Sequence, residues 1–172
     1  MSVGILVLRL AVGLAMAGHG TQKMLGWFGG HGAAGTVGFM RQLGFRPARA
    51  WAAGAMLSET VGGLLLAAGL LNPVGGLAVA AAMLTASFAV HWGKGFFAQS
   101  GGVEVPFLYL VSAVAVAISG PGRYSLDSLL GIALPEPVTG IVVAALVVLG
   151  VVAAFVSRPR TAASRPAAAA TA

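Results

Sequence analysis

Apolar residues run along this chain in long blocks, and the polar positions between them come in short clusters. Five blocks approach the ~20 residues that a helix needs to cross the hydrocarbon core of a bilayer. They cover about 3–24, 50–71, 73–92, 105–120 and 137–157; the fourth is the shortest, and the fifth holds no ionisable residue. The breaks between them carry turn chemistry. Leu71-Asn72-Pro73 cannot continue the second helix, and Pro73 suits the start of the third. Gly93–Gly102 reads as a loop, Pro106 fits a first helical turn, Gly120-Pro121-Gly122 ends the fourth block and Pro135-Glu136-Pro137 opens the fifth. Between the first two blocks, Thr36–Leu43 reads either as a short amphipathic turn in the membrane interface or as a plain loop.

Composition agrees with this pattern. The 172 residues are 58% hydrophobic and only 8% charged, against roughly 25% charged in ordinary soluble domains. So few charges cannot cover a water-facing surface, and lipid is the simplest alternative. The 26 glycines would weaken helices in water, whereas membrane helices use glycine where backbones approach closely. A net charge of +6 invites a nucleic-acid reading. It is excluded because the basic residues sit singly at block ends and no aromatic stacking platform accompanies them. With no cysteine, the chain has no thiol redox couple, disulfide or thiolate metal site of its own. Ala15-Met16-Ala17-Gly18 resembles a signal cleavage site, but no basic residue precedes the first block and Arg9 lies inside it. The first helix is therefore expected to be retained.

Basic residues set the expected orientation. Arg41, Arg46 and Arg49 lie in the first connection, Lys94 in the third, and Arg158, Arg160 and Arg165 in the tail; the second connection has none, and the fourth has only Arg123 beside Asp127 and Glu136. The positive-inside rule then places the odd connections and the C-terminus in the cytoplasm and the N-terminus outside.

Ionisable groups within membrane helices are costly and turn inward, so they are informative. Arg9, Met16 and Lys23 recur every seven residues, with Gly13 and Gly20 between them, on one stripe of the first helix. His19 lies one turn before Lys23. On the second helix, Gly54, Ser58 and Gly62 form a small-residue ladder that suggests close helix contact, with Glu59 beside it. Glu59 is expected about 12 Å from the cytoplasmic boundary, paired with Arg9 or with His19 and Lys23. His91 and Lys94 follow Ser87 on the third helix, and Glu104 starts the fourth, where the helix dipole favours a carboxylate. His19, Lys23, His91, Lys94 and Glu104 are expected to gather near the cytoplasmic mouth, with Glu59 behind them and Arg9 above it, as one polar cluster. One reading is a pocket for a small polar or quinone-like head group; the other is an ion-pair network that fixes helix register. A metal site is disfavoured because no His-x-x-x-His pair exists. Nor is there a nucleophile triad, phosphate loop or dinucleotide fingerprint.

Several phrases carry a resemblance. Arg9-Leu10 leads to Gly18-His19-Gly20 and Lys23; Glu59 precedes Gly62-Gly63 and Leu70; His91 precedes Gly95-Phe96-Phe97, Gly102 and Glu104; and Gly120-Pro121-Gly122-Arg123-Tyr124-Ser125-Leu126-Asp127 closes the set. In this order they closely resemble the DoxX family of bacterial membrane proteins, over residues 3 to about 130. The resemblance implies an all-α membrane protein with four core transmembrane helices, here over residues 1–135. A fifth helix at 136–157 and a disordered basic cytoplasmic tail at 158–172 depart from that core. It implies residence in the bacterial plasma membrane and links to redox systems, either quinol oxidase and thiosulfate–quinone chemistry or oxidative-stress complexes. His19, Lys23, Glu59, His91, Glu104, Arg123 and Asp127 stand at family motif positions, none assigned as catalytic. Arg123 and Asp127 read as a structural loop, with Ser125 or Asp127 capping a short helix to about Leu134, or as a partner-docking element.

The expected function is a non-catalytic subunit or anchor of a membrane redox complex. The alternative is a binding or transport protein for a small molecule, quinone or lipid. A stand-alone enzyme has least support. No cofactor is identified, although a quinone is compatible with the cluster. The bilayer is the expected surrounding, redox enzymes are candidate partners, and self-association stays open.

Overall fold

A computed structural model describes residues 2–135 and 137–158. Glu136 and most of the expected tail, 159–172, lie outside the described residues. Seven helices appear in order, with no strand among the described residues: α1 Ser2–Leu25, α2 Gly32–Gln42, α3 Ala48–Ala68, α4 Val74–Ala86, α5 Glu104–Ser119, α6 Leu126–Leu130 and α7 Val138–Val156. A single π turn, Ser87–His91, extends α4. Within that extension Ser87 Oγ donates to Met83 O at 2.8 Å.

The five apolar blocks become α1, α3, α4, α5 and α7. Four of them, α4 with its π turn included, are long and apolar enough to cross a membrane. The exception is α5, with 16 residues, or about 24 Å of helix at 1.5 Å per residue. The stretch containing Thr36–Leu43 is helical, forming most of α2, which packs against α1 and α3. Thr36 fastens it: its buried hydroxyl donates to Gly32 O and approaches Lys23 O, both at 2.9 Å.

Close backbone approach builds the bundle. A Cβ at Gly63 of α3 would stand 2.6 Å from Ala17 N and 2.7 Å from Gly13 O of α1. At Gly76 of α4 it would stand 2.7 Å from Ala113 O of α5. The core fills in around these contacts with Val12, Met16, Leu66, Val79, Met83 and Val116. By contrast, α7 meets the bundle chiefly through α4, and Ala154 is its one buried residue among those described.

The glycine ladder on α3 divides. Gly62 meets Ala78 and Gly75 of α4, but a Cβ at Gly54 would touch nothing within 4 Å. The ladder therefore packs at one end and lines open space at the other.

These contacts predict that Gly63→Ala lowers the stability of the detergent-solubilised protein by about 1–3 kcal/mol, the usual cost of overpacking. Gly18→Ala, whose Cβ meets nothing within 4 Å, should stay within about 1 kcal/mol of the parent. Thermal unfolding followed by circular dichroism compares the two.

Candidate functional site: a membrane groove with an ion pair

A groove of about 770 Å³ lies between α2, α3, α4 and α7. Small side chains leave it open. Gly54 and Ala55 of α3, Ala78 and Ala82 of α4, and Gly150 of α7 all line it, and a Cβ at Gly150, as at Gly54, would meet nothing within 4 Å. Along α4 the lining runs from Val74 to Val90, about 24 Å at the helical rise. Apolar atoms dominate the walls, and Phe45 and Trp51 stand at one end, 6.2 Å apart between ring centroids.

One charged pair interrupts this apolar surface. Lys23, in the last turn of α1, donates from Nζ to Glu59 Oε1. Glu59 is buried near the midpoint of α3, eleven residues from Ala48 and nine from Ala68. The Lys23 side chain is 37% exposed and that of Glu59 only 2%, so the ammonium is the part that the groove presents. Glu59 Oε2 and the neighbouring Thr60 Oγ1 are buried without a hydrogen-bond partner. An ammonium has three N–H groups; with one on Glu59, it can still donate to an acceptor oxygen on a bound molecule.

The other expected members of the polar cluster lie elsewhere. Arg9 is 14 residues before Lys23, about 21 Å along α1, and does not reach Glu59. It is 1% exposed and donates through Nη2 to Tyr124 O at 2.6 Å, while Nε and Nη1 have no partner. Gly69, with φ +62°, leaves the space that its guanidinium occupies. Beside it, Asp127 accepts from Leu71 N at 2.8 Å and Asn72 N at 2.9 Å, and Asn72 Nδ2 donates to Ala117 O at 3.1 Å. Arg9 thus belongs to a latch at the opposite end of the bundle. Ser125 caps α6, accepting from Ser128 N at 3.1 Å. Arg123 is exposed and stacks over the Tyr124 ring at 5.3 Å.

His19 bonds through Nδ1 to Gln22 Oε1 at 3.1 Å and meets Tyr109 of α5 edge-on, outside the groove lining. His91, Lys94 and Glu104 organise the loop before α5. Since a carbonyl only accepts, His91 Nδ1 donates to Gly101 O at 2.7 Å. Glu104 Oε2 accepts from Ala98 N at 2.8 Å, and Lys94 O accepts from Ser100 Oγ at 2.8 Å. The seven residues therefore fall into four separate places, with only Lys23 and Glu59 at the groove. Among the described residues, no three His, Asp or Glu side chains gather as a metal ion would require. Phe45, Trp51 and Gly150 also line the groove, and no sequence pattern marks them, because facing across open space leaves no spacing signature.

Removing one member of the pair leaves the other charge buried, which costs about 3–5 kcal/mol in comparable sites. Lys23→Met should therefore destabilise the protein strongly, and adding Glu59→Gln to it should restore more than half of the loss; thermal unfolding of the single and double variants measures this coupling. Among known proteins, the family model described as DoxX matches residues 4–92, which are α1 to the end of the π turn, whereas the motif resemblance extends to about residue 130. No curated protein and no solved structure matches the chain.

Proposed function

The chain belongs to the DoxX family, and we propose that this multi-pass membrane protein binds an amphipathic small molecule, of the quinone or lipid kind, within the bilayer. The groove carries this reading. Its volume lies within the roughly 300–1,000 Å³ range of small-molecule sites, its walls are mostly apolar with His31 and a few hydroxyls among them, and its one ion pair is Lys23–Glu59. An apolar body would lie along α4 and α7, and a carbonyl or hydroxyl oxygen would accept from Lys23. The pair is electrically neutral as a unit, which suits an uncharged polar group at that level.

The family resemblance supports a second reading, a non-catalytic subunit or anchor of a membrane redox complex. The cysteine-free sequence favours it to the extent that thiol chemistry in such a complex would belong to a partner. Affinity isolation in mild detergent, under oxidising and reducing conditions, separates the two readings. Recovery of redox enzymes supports the anchor; recovery of the chain with a bound small molecule and no enzyme supports the groove.

The orientation proposed with this function places Arg41, Arg46, Arg49, Lys94 and Arg158 on the cytoplasmic side of the plasma membrane. Alternation of the helices puts all five at the same end of the bundle.

Two outcomes are expected. Gly54→Phe and Gly150→Phe, which fill the groove from facing walls, should lower the small molecule retained on purification by roughly fivefold or more, equivalent to ~1 kcal/mol, with folding intact. Mass spectrometry of organic extracts reads the loss. Because the chain has no cysteine, single introduced thiols report sidedness cleanly. Ser128→Cys should react with an impermeant maleimide in intact cells, and Arg49→Cys only after lysis.

A further inference from the structure

A second depression adjoins the groove. It has a volume of about 390 Å³ and is lined by Arg41, Phe45, Arg46 and Ala48. Phe45 lines both spaces, so a ligand reaching from one to the other passes this ring. Both arginines are exposed, and among the described residues neither has a carboxylate partner. A third cation stands close by: the Arg158 guanidinium lies 5.3 Å from the Phe45 ring centroid and 5.5 Å from that of Phe155. The loop is held in place from the groove side, where Trp51 Nε1 donates to Arg46 O at 3.2 Å.

A basic cup therefore opens beside a long apolar channel, with one aromatic residue between them. Guanidinium groups suit phosphate oxygens in geometry and charge, and basic pockets at membrane helix ends take anionic head groups. We infer that Arg41 and Arg46 hold the phosphate head group of an anionic lipid whose acyl chain lies in the groove beyond Phe45. This rests on the groove's being a binding site and names the class of its occupant. The head group supplies the charge that the arginines lack, and the chain covers apolar walls that the neutral Lys23–Glu59 pair leaves largely undisturbed.

Trp51 provides the readout, since it lines the groove and packs on Phe45. The full-length protein carrying Trp27→Phe and Trp92→Phe keeps Trp51 as its sole tryptophan. In detergent it is titrated with phosphatidylglycerol or phosphatidylcholine bearing identical brominated acyl chains, which quench indole fluorescence on contact. Phosphatidylglycerol should quench at roughly 10- to 30-fold lower concentration, as expected for two basic contacts. Arg41→Gln with Arg46→Gln should abolish that preference while leaving quenching by phosphatidylcholine. Equal quenching by both lipids in the arginine-containing protein would overturn the head-group assignment and leave the groove standing. Quenching that Gly54→Phe does not reduce would overturn the groove itself. If inorganic phosphate alone binds calorimetrically, with loss in the double glutamine variant and no advantage for the anionic lipid, the cup serves a soluble phosphate and the lipid assignment falls. The comparison of the two lipids needs no arginine variant, so it stands even if that variant misfolds.

Discussion

Hydrocarbon offers a charged side chain no water to retreat to, and the placement of three charges organises this bundle. Arg9 and Lys23 share one stripe of α1 and meet the neighbourhood of α3 at two heights. The upper contact tucks the Arg9 guanidinium under Gly69 and bonds it to Tyr124 O; the lower one joins Lys23 to Glu59. Between them, Gly13 and Gly63 bring the two backbones together. A slip of either helix by one turn, about 5.4 Å, would strand a charge in an apolar medium while forcing side chains into the glycine contacts. Register is thus set jointly by polar and steric demands, each of which alone would tolerate more alternatives.

The division between legible and illegible features follows from the same physics. Helix ends were readable because length and hydropathy decide what spans a bilayer, and proline and glycine mark what does not. A capped short helix was readable, with Ser125 or Asp127 as its cap; Ser125 takes the role, its hydroxyl acting on a backbone amide three residues away, and the helix ends at Leu130 rather than near Leu134. Azimuth was not readable. His19, His91 and Glu104 share a broad level with Lys23, yet they turn toward Gln22, Gly101 O and Ala98 N. Height alone leaves Glu59 with either Arg9 or the His19 and Lys23 pair as partner; Lys23 is the one it meets, and the hydrogen-bond acceptor of Arg9 comes from a loop 115 residues away. The ladder Gly54–Ser58–Gly62 shows the same limit: spacing marks small residues on one face, but whether another helix fills the space depends on tertiary structure.

The groove arises from asymmetry in packing. Helices α1, α3, α4 and α5 interlock through glycine and alanine contacts, whereas α7 leans mainly on α4 and leaves its apolar surface outward. Near the basic end, Phe155 of α7 meets Phe45 at 6.0 Å and Phe88 at 6.3 Å between centroids. The aromatic contacts fasten that end of α7 and leave its middle, around Leu146 and Gly150, standing off from α3. A wall attached along one side and pinned at one end encloses space without a dedicated cavity-forming loop.

The bonds around Asp127 have a consequence for the order in which the chain completes itself. Its carboxylate satisfies the amides of Leu71 and Asn72, in the bend between α3 and α4, yet it is made 55 residues after Asn72. During synthesis the first three spans can enter the membrane with that bend still open. Only when the segment after α5 has been made does the closing residue arrive, bringing with it the carbonyl to which Arg9 donates. The N-terminal span is thus secured by one of the later pieces to emerge from the ribosome, and a nascent chain halted before Asp127 would hold the right helices without the clasp that joins them.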